Sequence, residues 1–162
     1  MITAAMLKSL WPRASSATIV GVAGVAPEVF EIYEINTPLR VAHFMAQISH
    51  ECGGGTIIRE NMNYSAPRLM QIFGVGKHSA KITEGEARVI AAQPEKIAER
   101  VYGLGNPKKA RELGNTQPGD GYRYRGNGML QLTGRASHRR VGNEVGFDLE
   151  NNPRQLEDPA TS

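Results

Sequence analysis

Thr37-Pro38-Leu39-Arg40-Val41-Ala42-His43-Phe44-Met45-Ala46-Gln47-Ile48-Ser49-His50-Glu51-Cys52-Gly53-Gly54-Gly55 is the stretch whose reading sets the fold class. The threonine oxygen can accept from an orphan amide, and proline suits the first helical position. Leu39, Ala42, Met45, Ala46 and Ile48 continue an apolar helical face, and the three glycines end it. The same grammar recurs along the chain. Thr3 caps a short helix to about Leu10, and Ser65 begins one that Gly74 stops after Phe73. Thr83 and Glu86 have capping-box spacing. Pro94 restarts a helix over Glu95 to Tyr102, and another runs from Arg135 to about Val145. Met129-Leu130-Gln131-Leu132 reads as a short strand. Gly103 to Gly128, rich in Gly, Asn, Pro and Asp, reads as a long functional loop. The apolar run Ala17 to Pro27 lies too far in and carries too many glycines for a signal peptide, and is read as buried or as a helix junction. The expected class is mainly α with one small β element.

A chain of 162 residues with 22% charged residues is sized for one folded domain, and neither repeat nor linker divides it. One cysteine excludes an internal disulfide and multi-cysteine metal frameworks. No apolar run reaches the ~18–20 residues of a membrane span. The formal charge of +3 favours anionic partners in general. The basic residues are dispersed, so a specific nucleic-acid interface is not expected.

His50-Glu51 invites a zinc-protease reading, which fails because Gly54 stands where the second histidine is needed. Gly74-Val75-Gly76-Lys77 is no phosphate loop, since Gln71 occupies the earlier glycine position. Glu51 sits at the carbonyl end of its helix, where partial negative charge favours a protonated carboxyl, and partial burial would act the same way. A protonated glutamate can donate to a glycosidic oxygen. The spacing alone equally describes an exposed glutamate at a fraying helix end. Glu60 supplies the second carboxylate that glycan hydrolysis needs, or simply pairs with Arg59. Asn61, Asn63 and Tyr64 are candidate contacts for sugar hydroxyls. The block from Asp120 to Arg135 interleaves aromatics, amides and arginines, as a sugar cleft or an ordinary aromatic hairpin does. Cys52 with His43, His50, His78 or His138 offers a cysteine-hydrolase alternative, weaker than a plain buried thiol.

Taken together, Ala42 to Glu51, Glu60 to Tyr64, Ile97 to Gly103 and Gly121 to Arg135 resemble the family 19 glycoside hydrolases, and within them the phage and prophage endolysins. Ile2 to Ala5 and Ile35 to Arg40 share that look. The resemblance implies a lysozyme-like, two-lobed, mainly helical fold and cleavage of β-1,4 glycan strands of bacterial peptidoglycan with inversion. Chitin, or a non-catalytic glycan-binding remnant, is the alternative. By motif, Glu51 matches the general acid, Glu60 the base, and Thr133 the hydroxyl that holds the nucleophilic water. Gln131, Tyr124 and Arg125 match cleft positions, and no metal or cofactor is implied. Cys52 stands where Ser or Thr is usual. Ser137-His138 stands where Asn-Tyr is usual, leaving Ser137 as the substrate-binding candidate there. Family members continue with further helices, so residues 1–162 are expected to be one catalytic domain that is incomplete at its carboxyl end. The family also implies a monomer held in the host bacterial cytoplasm. A separate pore-forming protein would release it to act on the wall from the periplasm, with no nucleic acid and no stable membrane insertion.

Overall fold

The computed structural model describes residues 2–162 and is mainly helical. Its contacts group the chain into two compact units. One comprises the residues up to Arg59 together with 127–131 and 154–162; the other comprises 60–126 and 132–153.

The first unit carries α1 (Ala4–Leu10), α2 (Ser16–Ile32) and α3 (Pro38–Glu51). Each begins on a hydroxyl cap: Thr3 accepts from Met6 N, Ser15 from Thr18 N, and Thr37 from Arg40 N. Such caps each contribute about 1 kcal/mol by satisfying an otherwise orphaned donor. The run Ala17 to Pro27 is neither a junction nor fully buried. It lies inside the continuous helix α2, which includes Pro27 at an exposed position and buries Ile19, Ala26 and Phe30. Trp11 is completely buried at the centre, its indole N–H donating to Ser49 Oγ at 2.7 Å. Gly55, with φ 74°, passes beneath this ring. A Cβ there would lie 2.8 Å from Trp11 Cε3, so the glycine run both turns the chain and makes room for the indole. The inward face of α3 is rotated from the expected one. Met45 is buried and Val41, Phe44 and Ile48 pack beside it, whereas Leu39, Ala42 and Ala46 are exposed. The edge-on contact of Phe44 with Phe30, at 5.6 Å between centroids, favours this setting.

The second unit carries α4 (Ala66–Phe73), α5 (Glu84–Ile90), α6 (Pro94–Val101), α7 (Pro107–Leu113), α8 (Asp120–Arg123) and α9 (Arg135–Val145). Leu69, Phe73, Ile82, Ala87, Ile97, Ala98 and Val101 form its core. Thr83 caps α5 as expected. The carboxylate of Glu86, however, pairs with Arg100 on α6 and ties those two helices together. The segment expected to be one long loop contains α7 and α8. Asn106 caps α7 and Gly114 closes it in the left-handed conformation. Residues 128–131 are a turn rather than a strand, with Gln131 N donating to Gly128 O and Gln131 itself at φ 51°. Extended pairing among the described residues is limited to isolated bridges such as Arg59 with Asn127 and Gly74 with Ile82.

Asp120 is nearly inaccessible, accepts from the amides of Thr116 and Gln117, and pairs with Arg135. Desolvation pushes its carboxyl up, but the Arg135 bond and the two amides outweigh it and hold it low. Glu150 bridges Arg135 and Arg139, and the Arg139 bond above all depresses it to about 2.

Two outcomes follow for stability. Both carboxyls titrate lower folded than unfolded, so their contribution is full above the ordinary carboxylate range, near about pH 4, and is lost as pH falls through the folded values. Melting temperature should therefore drop steadily below about pH 5, and Glu150→Gln should flatten that acid limb. A Cβ at Gly121 would lie 2.5 Å from Ala98 O and 2.8 Å from Gly103 N, both backbone atoms. Gly121→Ala must then push α8 away from α6, and denaturant titration should show a loss of about 1–3 kcal/mol.

Candidate functional site

Glu51 ends α3, and the glycine run carries the chain away from it. Its carboxylate is exposed rather than partly buried, and its Oε1 accepts from Gln47 Nε2, one helical turn earlier, at 3.1 Å. Gln131, in the same unit, is half-buried and turned inward, its amide donating to Gly128 O at 2.9 Å. The large cavity of this unit, about 1400 Å³, contains none of the expected site residues. It is lined mainly by apolar side chains of α1, α2 and α3, and Glu31 is the one charged group among its lining residues.

The second unit brings several candidates onto one carboxylate. Glu60 N donates to Gly126 O at 2.8 Å, and Gly126 N returns a bond to Glu60 Oε2 at 3.2 Å. Arg125 Nε donates to the Glu60 carbonyl at 3.0 Å. The phenol of Tyr102 donates to Glu60 Oε1 at 2.9 Å. Both carboxylate oxygens thus face donors, which fixes the plane of the group. Burial first, and then the adjacent Glu60 charge, push the Tyr102 phenol far up, so it remains a donor. Tyr64 is half-buried beside the same carboxylate. Its phenol is raised by burial and then by Glu60, and its ring meets Phe73 edge-on at 5.6 Å.

Asn61 and Asn63 are exposed, and Asn61 Oδ1 accepts from Asn63 N at 2.8 Å, a local turn that leaves the Asn63 side chain outward. Arg125 is buried with its guanidinium 3.8 Å from the centre of the Tyr122 ring, and it donates to Tyr122 O. Its bonds hold Glu60, which gives it a supporting position rather than a sugar-facing one. Tyr124 needs a clearer correction. Its ring is fully buried between His138 and Arg135, and its phenol donates to Glu150 O at 2.8 Å, so no face is open for stacking on a sugar. Thr133 and Ser137 are half-buried, one just before α9 and one within it.

Two residues of this site escape a reading based on local pattern. Tyr102 sits at the end of an ordinary amphipathic helix, and Gly126 contributes only main-chain atoms. Neither has a spacing signature, and only the block around Tyr102 hinted at a role. Among the described residues, no group of three or more His, Cys, Asp or Glu could hold a metal ion, and no helix is long and apolar enough to cross a membrane.

No family model matches the chain. A Haemophilus influenzae protein described as a "Glycosyl hydrolase family 19 domain-containing protein" is 36% identical over 114 residues, which are 69% of this chain and 52% of that protein. The chain therefore spans about half the length of this curated relative. The likeness supports glycosyl hydrolase family 19 as the place of this chain among known proteins.

Proposed function

We propose that this chain carries the catalytic part of an inverting glycoside hydrolase that cuts the β-1,4 glycan strands of bacterial peptidoglycan. The observation that carries the reading is the Glu60 carboxylate, gripped at both oxygens by Tyr102 and Gly126. A general base has to present a lone pair in a fixed direction, and an oriented carboxylate does so. The family 19 likeness adds the reaction class.

In the proposed cycle Glu51, as the acid, transfers its proton to the glycosidic oxygen while the bond from that oxygen to the anomeric carbon breaks. Glu60 removes a proton from a water that Thr133 helps to hold, and the water oxygen bonds the anomeric carbon from the opposite face. The product is a free reducing end of inverted configuration, with Glu51 ionised and Glu60 protonated until solvent resets both. Asn61, Asn63 and Tyr64 lie next to Glu60 in sequence and supply amide and phenol groups for sugar hydroxyls. We further propose a monomer that reaches the wall from the bacterial cytoplasm through a separate pore-forming protein, without inserting in the membrane.

Glu51→Gln and Glu60→Gln should each fold normally and lose about 10²–10⁴-fold in release of reducing ends from purified Gram-negative cell walls. Mass spectrometry of the digest should show muropeptides cut between sugars, and early-time NMR should show the inverted anomer. Full activity in either variant overturns its assigned role. Cleavage of chitin oligomers with intact walls left uncut overturns the peptidoglycan substrate. Wall binding without new reducing ends overturns the enzymatic reading altogether.

A further inference from the structure

We infer that Tyr102 is the positioning residue that sets the orientation of the Glu60 carboxylate. The inference rests on the reading of Glu60 as the base and adds the group that aims it. Tyr102 itself is held on several sides. It follows the last residue of α6, its amide donates to Ala98 O at 2.8 Å, and its carbonyl accepts from Asn115 Nδ2 at 3.0 Å. Asn115 is buried and in turn accepts from Arg135 N at 2.9 Å. The close approach of α8 to α6 at Gly121 fixes the start of the segment that ends in Arg125 and Gly126. The two donors to Glu60 therefore come from different segments, Tyr102 from the end of α6 and Gly126 from the chain that follows α8.

A carboxylate bound at one oxygen can still swing about its terminal torsion, which is broad and roughly two-fold. Held at both oxygens, by Tyr102 Oη at 2.9 Å and Gly126 N at 3.2 Å, it cannot. Each oxygen keeps a further lone pair, and those lone pairs have fixed directions toward an incoming water. Gly126 supplies a backbone amide that no side-chain change removes. The adjustable half of the grip is the Tyr102 hydroxyl, and a phenylalanine would keep the ring while removing the donor.

The test uses the full chain with Tyr102→Phe, Glu60→Gln and wild type compared side by side. Two readouts are followed: turnover of purified Gram-negative walls across pH, and the Glu60 carboxyl followed by ¹³C NMR titration, which needs no substrate. A hydrogen bond to a charged group is lost, so kcat should fall about 10- to 100-fold with KM nearly unchanged. The acid limb of the kcat profile and the NMR midpoint of Glu60 should both move to higher pH, because the lost bond favoured the ionised form. A folded Tyr102→Phe with unmoved midpoint, unmoved acid limb and normal kcat, beside an inactive Glu60→Gln, overturns the role of Tyr102 and leaves the base assignment intact. Full activity of Glu60→Gln overturns the base assignment instead. Should Tyr102→Phe fail to fold, 3-fluorotyrosine introduced at position 102 keeps the shape and strengthens the donor. The Glu60 midpoint should then move to lower pH, and an unchanged midpoint overturns the inference.

Discussion

Glu60 is tied to a two-residue segment far along the chain by three bonds at once, through its amide, its carbonyl and its carboxylate. Among the described residues no sheet supplies this constraint. The unit has isolated bridges where a β-rich hydrolase would have a ladder, so the backbone polar groups of this crossing must find their partners one at a time. Arg125 takes the carbonyl, and its own guanidinium is satisfied by Tyr122 O and by the ring of Tyr122. A buried arginine at such a place is tolerable only because its hydrogen bonds and its stacking are both provided.

The rest of the second unit can be understood as what keeps residues 120–126 where Glu60 needs them. Asp120 starts α8 from a buried position with its oxygens on two amides and on Arg135. Tyr124 fills the space beneath, against His138, and hands its hydroxyl to Glu150 O. Gly134 N donates to Tyr124 O, so the start of α9 is fastened to the same ring-bearing residue. Removing one partner from such a network leaves another charge or donor unpaired. Its members are therefore coupled, and single substitutions there should not be additive.

Most of the helices were legible because their signals are local. Thr3, Thr37 and Thr83 each accept the amide three residues on, as their spacing implies, and Gly74 and the glycines after Cys52 stop their helices. The failures have physical reasons. α7 and α8 are short and lie in a stretch whose Gly, Asn and Pro content reads as loop, yet Asn106 and Gly114 are its cap and its stop. Met129-Leu130-Gln131-Leu132 reads as a short strand, but Gly128 and Gln131 both have positive φ, which closes a turn instead. The alternation of aromatics and arginines around Tyr124 suits a sugar cleft or an ordinary hairpin alike, and only the family resemblance makes Tyr124 a cleft position. The arginines turn out to serve the protein's own carbonyls and carboxylates, leaving the ring inside.

Glu51 and Glu60 illustrate how differently a carboxylate can be prepared for chemistry. Glu60 is set by the fold before any ligand arrives, since the groups that hold it are main-chain atoms and a phenol whose own positions are fixed by packing. Glu51 has only an exposed glutamine one turn away, so little in its own unit restricts the direction of its proton. In the proposed cycle the acid takes its orientation from the sugar it protonates, whereas the proposed base is oriented in advance. The proposed inversion would divide the work in the same way: a long bound polymer would position the leaving oxygen, whereas the small, mobile attacking water depends on the protein for its position.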